Sequence, residues 1–183
     1  MTGGSGTDSL VVTRDADMTL TNTSLVATGF GTLTLNTIET ANLTGGGSNN
    51  TLRANAFTAG SVTLNGGAER DVLIGGAGAD MLDGGSDEDI LIGGTSSLSG
   101  NVSALIAIRN EWISASMYSV RLAHLFNGGG LNGTTKLNSS TIQNDSSAID
   151  RLTGNSELDW FFQSASDVVV DFNVGLGEIK TTI

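Results

Sequence analysis

Between Gly66 and Ile92 the chain repeats itself every nine residues. The units read GGAERDVLI (66–74), GGAGADMLD (75–83) and GGSDEDILI (84–92), and Gly93-Gly94 opens a fourth that decays from Thr95 to Leu98. Each unit has Gly-Gly first, Asp sixth and Leu eighth. Glycines permit the left-handed backbone of a tight turn, and their carbonyls are free to face a cation. The sixth residue adds a carboxylate. The last three residues form a short strand whose eighth residue, Leu73, Leu82 or Leu91, points inward. A Gly/Asp-rich linker would not place Leu at every ninth position.

Further copies lie outside the tandem array. GGSGTDSLV (3–11) matches at every defined position, with Asp8 in the acidic slot. GGGSNNTLR (45–53) keeps the glycine pair and Leu52 but has Asn50 in place of Asp, and GNSELDWFF (154–162) keeps Asp159 and Phe161 while Asn155 and Glu157 replace glycines. These residues resemble the calcium-binding nonapeptide repeat of RTX proteins, GGxGxDxUx. The resemblance implies a β-roll with 18 residues per coil and Ca2+ held between stacked turns of one edge. On that reading Asp71 and Asp89 share one ion, and the carbonyls of Gly67, Gly76, Gly78 and Gly85 are further candidate ligands of the turns. Asp80 is left with a half-site, because the neighbouring positions hold Val62 and Leu98. Glu69 and Asp87 replace the fourth-position glycine; they either add ligands or are solvated turn residues that tolerate a strained backbone.

The charge balance agrees. The formal net charge is -11, the wrong sign for a nucleic-acid partner and the right one for hard cations with oxygen ligands. Cys and Pro are absent, so neither disulfides nor thiolate metal sites hold the fold. Hydrophobics reach 38% in short regular runs, as expected of stacked repeats. No cleavable leader and no membrane span is visible.

Before the array, β-prone runs recur at Leu10–Thr13, Met18–Leu20, Ser24–Val26, Thr32–Leu35, Ala41–Leu43 and Val62–Leu64. They suit parallel β-helix coils longer than those of a roll; an antiparallel sandwich is the alternative. After it, Leu105, Ile108, Trp112, Ile113, Met117, Val120 and Leu125 recur at helical spacing. They predict one helix of about 25 residues, capped by Asn101 or Ser103 and ended at Asn127-Gly128. Val72, Ile74, Ile90 and Ile92 give one sheet an apolar outer surface that the helix should cover, joined by Trp160 and Phe162. Residues 127–150 read as a loop and Val168–Phe172 as a buried strand.

The expected fold is mainly β: a right-handed parallel β-helix/β-roll with one amphipathic α-helix packed on it. Residues 1–65 are expected to form degenerate coils, 66–98 the roll, and 99–183 a helix-containing cap. Tandem nonapeptides, a Trp-bearing helix and then LTG…LDWFF resemble the closing module of large calcium-binding exoproteins of aquatic bacteria. The resemblance implies a calcium-dependent structural module, secreted, within a larger repeat protein. The repeat motif directly after Met1 suggests an array that continues upstream, and Gly175–Ile183 reads as part of an uncleaved C-terminal secretion signal. No catalytic constellation emerges: His124 is the sole His and reads as a helix-end residue, and Arg14 beside Asp15 and Asp17 reads as a charged turn. Two rival readings are a module that binds a surface, a polysaccharide or ice, and the tail of a carbohydrate-active β-helix enzyme.

Overall fold

The computed structural model describes residues 1–145 and 148–183. Strand β1 (Ser9–Thr13) and β2 (Met18–Thr21) are followed by a meander, β3 (Ser24–Ala27) and β4 (Gly31–Thr34). Then β5 (Thr40–Gly46), β6 (Thr51–Ala56), β7 (Val62–Gly67), β8 (Val72–Ile74), β9 (Met81–Gly85) and β10 (Ile90–Ile92) succeed one another across short turns. A long excursion holds β11 (Thr95–Ser96), α1 (Val102–Trp112), α2 (Tyr118–Asn127) and β12 (Ile142–Gln143). The chain closes with β13 (Arg151–Asn155), β14 (Trp160–Gln163), β15 (Val168–Val169) and β16 (Ile179–Thr182).

From β5 to β10, successive strands alternate between two open sheets. One runs β1-β5-β7-β9-β13-β15 and is parallel throughout. The other runs β16-β14-β10-β8-β6-β2-β3-β4; it is parallel from β16 to β2, while β3 and β4 add antiparallel. The expectation of coils throughout 1–65 therefore fails at β3 and β4. There a turn through Gly29 lets β3 and β4 pair with their sequence neighbour instead of crossing to the opposite sheet.

Parallel register sets the eighth-position residues in inward ladders. Leu43, Leu64, Leu82 and Leu152 are aligned in one sheet, and Leu52, Leu73, Leu91 and Phe161 in the other. All belong to a single buried cluster, so the two sheets pack face to face over one core. Strand β7 runs across residues 65/66, and residues on both sides of 98/99 join the one core.

A second apolar layer covers the outside of the β8–β10–β14 sheet. Val72, Ile74, Ile90, Ile92, Trp160 and Phe162 pack there with Leu105, Ile108, Trp112 and Leu125 of the helices. The predicted outer layer is thus present, but it is built by two helices, not one. Asn101 caps α1, its Oδ1 accepting the Ala104 N–H at 3.0 Å. The break at Ile113–Met117 contains Ser114 and Ser116, whose hydroxyls offer the backbone local alternatives to helix bonds. It lets α2 fold back, leaving Ile113 and Met117 exposed and burying Arg121 and Leu125. The predicted buried strand at Val168–Phe172 shrinks to the two residues of β15 at a sheet edge, with Val168 and Val170 exposed.

Candidate metal centre

Each sixth-position Asp stands directly before a strand, at the end of its glycine turn. Along one edge of the stack the amide of each turn donates to the carboxylate of the next. The Asn50 N–H reaches Asp71 Oδ1 at 2.6 Å, the Asp71 N–H reaches Asp89 Oδ1 at 2.7 Å, and the Asp89 N–H reaches Asp159 Oδ1 at 2.8 Å. The predicted neighbours Asp71 and Asp89 do occupy adjacent turns, 18 residues apart.

The opposite edge carries a second ladder that the sequence reading missed. The Val62 N–H donates to Asp80 Oδ1 at 2.8 Å, the Asp80 N–H to Asp150 Oδ1 at 2.8 Å, and the Asp150 N–H to Asp167 Oδ1 at 3.0 Å. Asp80 therefore does not end at Leu98. Its stacking neighbour is Asp150, 70 residues away, because the repeat opened by Gly93-Gly94 is interrupted by residues 95–149 and resumes as Asp150-Arg151-Leu152-Thr153. Leu152 takes the inward eighth position beside Leu82.

The second carboxylate oxygens set the chemistry. Oδ2 of Asp71, Asp80, Asp89, Asp150 and Asp159 is buried without a hydrogen-bond partner. Each lies against the glycine that opens its own turn. A Cβ on Gly75 would stand 2.6 Å from Asp80 Oδ2, one on Gly93 2.6 Å from Asp150 Oδ2, and Cβ atoms on Gly66, Gly84 and Gly154 would collide with the Oδ2 of Asp71, Asp89 and Asp159. Neighbouring turns are also stacked too closely for side chains: Gly67, at φ +111°, faces the Gly46 carbonyl, and Gly85, at φ +113°, faces that of Gly67. Gly78 lies similarly over the Gly60 carbonyl, whereas Gly76 rests on Asn55 and the Ala54 carbonyl.

Burial pushes these carboxyls far above the ordinary aspartate range. Asp71 and Asp80 rise to about 8 and Asp89 to about 10, with neighbouring carboxylates adding to the shift and the donated amides opposing it. Asp150 and Asp159 rise to about 7 for the same reasons. A row of buried carboxylates with orphaned oxygens is unfavourable unless a proton or cation joins it. The donors are carboxylate and carbonyl oxygens, which suit calcium. Among the described residues no three Asp, Glu, His or Cys side chains converge as a ready centre. An ion between turns would draw one carboxylate from each and complete its shell from glycine carbonyls.

The remaining predicted ligands differ among themselves. Glu69 (φ 68°) and Asp87 (φ 72°) hold a left-handed backbone where Gly78 also has a positive φ, and both side chains are exposed. Asp8 is set apart: its Oδ2 accepts the Gly4 N–H at 2.6 Å, and its own amide donates to Glu39, not to an Asp. His124 pairs at 2.7 Å with the buried Glu111 of α1. Asp17, expected in a charged turn, pairs with Arg109.

The helices hold the first edge from outside. The Trp112 indole N–H donates to the Glu88 carbonyl at 2.9 Å and the Tyr118 hydroxyl to the Asp159 carbonyl at 2.8 Å. The Glu88 carboxylate is paired with Arg70 and with the buried Arg121. Arg121 also lies over the Trp112 ring, 4.8 Å from its centroid.

Residues 59–95 match the family model for the RTX calcium-binding nonapeptide repeat (4 copies). The match begins upstream of Gly66, taking in Leu64, the register partner of Leu82. It ends at the interruption that separates Gly93-Gly94 from Asp150. No curated protein and no solved structure matches the chain.

Proposed function

We propose that this RTX-repeat chain is a calcium-dependent folding module of a larger secreted bacterial protein, built as a right-handed parallel β-roll. The observation that carries the reading is the run of buried, unpartnered Oδ2 atoms on Asp71, Asp80 and Asp89 inside the matched segment. Asp71 and Asp89 would hold an ion between their turns, with carbonyls of glycines such as Gly67 and Gly85 completing its oxygen shell. Glu69 and Asp87 stand on the exposed rim and add negative field. Bound calcium neutralises the carboxylates that otherwise repel one another, so ion binding becomes folding free energy. Where calcium is scarce the fold is only marginally stable and opens readily; where it is plentiful, as outside a cell, the turns close. No helix among the described residues is long and apolar enough to cross a membrane. The chain's role on this reading is to bind calcium and fold, not to catalyse.

The test is a calcium titration of chelator-treated protein, followed by far-UV circular dichroism and hydrodynamic radius. A gain of β signal with compaction, reaching its midpoint at higher calcium in Asp71→Ala and Asp89→Ala, is expected. A compact β signal that chelator leaves unchanged, with no calcium bound, would overturn the switch.

A further inference from the structure

The apolar outer layer stops at β8. Register sets Thr51 of β6 beside Val72 and Arg53 beside Ile74, and Thr19 of β2 beside Arg53. The outer face of the sheet thus changes within one strand from valine and isoleucine to threonine and arginine. Helix α1 overhangs the change. Its residues Val102, Ile106 and Arg109 recur at i, i+4 and i+7, on one helix face. Together with Asp17, Thr19, Thr51 and Arg53 they line a cleft of about 310 Å3, at the lower end of the range for small-molecule sites, roughly 300–1,000 Å3. The cleft holds two cations and one acid. Asp17 is engaged by Arg109 and by the Thr51 amide, which donates to its Oδ1 at 2.8 Å. Arg53 differs: its Nε donates to Thr19 Oγ1 at 2.7 Å and its Nη1 to the Ser99 carbonyl. Neutral oxygens therefore fix the guanidinium, and among the described residues no carboxylate pairs with it. Burial works against its charge, and the nearby charge of Asp17 offsets this only in part. The wall above it is apolar and open, with Val102 55% and Ile106 44% exposed.

We propose that the cleft between α1 and the β2–β6 face binds a small organic monoanion, a carboxylate carried on a short apolar chain. The carboxylate meets the Arg53 guanidinium, whose planar fork suits it. The Thr19 hydroxyl, already an acceptor from Nε, turns its own proton to the same carboxylate. The apolar chain covers Val102 and Ile106. One negative charge matches the one cation that has no acid of its own; a dianion such as inorganic phosphate would bring a second charge toward Asp17. The site uses none of the repeat carboxylates, so it stands or falls apart from the calcium reading.

Isothermal titration calorimetry on the full chain in calcium tests this, with 4-methylpentanoate as the probe. One site is expected. Three controls each lack one element of the match: 4-methylpentan-1-ol has no charge, acetate no apolar chain, and inorganic phosphate neither the chain nor the single charge. Each should bind at least about tenfold more weakly, the worth of one hydrogen bond to a charged group. Arg53→Gln should weaken 4-methylpentanoate by a similar factor. So should Ile106→Asp, which sets a like charge on the exposed face of α1. Circular dichroism of both variants checks that the β signal persists; if Arg53→Gln loses it, Ile106→Asp and the alcohol comparison decide. A protein that takes up no 4-methylpentanoate overturns the proposal. So does one that binds the alcohol or phosphate as tightly, or whose affinity Ile106→Asp leaves unchanged.

Discussion

The Trp112 indole N–H donates to the Glu88 carbonyl at 2.9 Å, one residue ahead of Asp89. The ring centroid of Trp112 also lies 6.5 Å from that of Trp160, which directly follows Asp159. Both tryptophans of the chain are therefore attached to turns of the first carboxylate ladder. Adding calcium to chelator-treated protein will shift tryptophan emission to shorter wavelength, with the same midpoint as the circular-dichroism change. Emission that stays fixed while the β signal rises would show that the helices dock independently of the turns.

Asn50 shows what an amide does in the acidic slot: it is buried, and its Oδ1 accepts the Gly46 N–H at 2.9 Å. Asp89→Asn retains an acceptor for the Asp71 N–H but removes a buried charge. Calcium affinity will fall at least tenfold, equivalent to about 1.4 kcal/mol. In chelator at a pH above about 10, where Asp89 gives up the proton that burial makes it keep, the calcium-free form will instead gain about 1–2 kcal/mol, because an unpaired buried charge has been replaced by a neutral group. Isothermal titration calorimetry and urea unfolding in chelator measure the two effects, and their opposite signs separate ligand loss from general damage.

Proton binding follows the same carboxylates. In the calcium-free fold Asp71 and Asp80 titrate near 8, Asp89 near 10, and Asp150 and Asp159 near 7, against about 4 in an unfolded chain. Because these values are raised, their stabilising contribution is complete below about pH 4. It is lost as pH climbs through the folded-state values. In chelator, the melting temperature will fall steadily from pH 5 to pH 9. Calcium requires deprotonated ligands, so its affinity will rise over the same interval. A chelated protein that melts higher at pH 9 than at pH 5 contradicts the burial of these groups.

Glu69 and Asp87 hold left-handed backbone with exposed side chains. A non-glycine residue there costs about 1 kcal/mol. Glu69→Gly will raise the unfolding free energy in saturating calcium by close to that figure and leave the number of bound ions unchanged. A lost ion would make Glu69 a ligand instead of a turn residue.

The nine-residue pattern was enough to locate Asp71, Asp80 and Asp89 and to orient Leu73, Leu82 and Leu91, because Gly-Gly turns and inward leucines are local consequences of sequence. The apolar outer face of Val72, Ile74, Ile90 and Ile92 was legible for the same reason. What was not legible depends on distant pairing. Asp150 stacks on Asp80 only because residues 95–149 leave the roll and return, and a fixed 18-residue count placed Leu98 there instead. The signal was nonetheless present in Asp150-Arg151-Leu152-Thr153-Gly154, which is the end of one repeat and the start of the next. The break between α1 and α2 was hidden because Ile113 and Met117 continue the helical spacing while facing solvent.

The interrupted repeat also sets an order of events. Closing one coil between Asp71 and Asp89 spans 18 residues, whereas closing the next between Asp89 and Asp159 spans 70. That is nearly two doublings of loop length, an added entropy cost of about 1 kcal/mol. Turns up to Asp89 can zip together as soon as their residues are available. The last coils must wait for a long chain closure. Refolding should accordingly show a fast phase that builds most of the β signal and a slower one in which the terminal coils and the tryptophan environment arrive together.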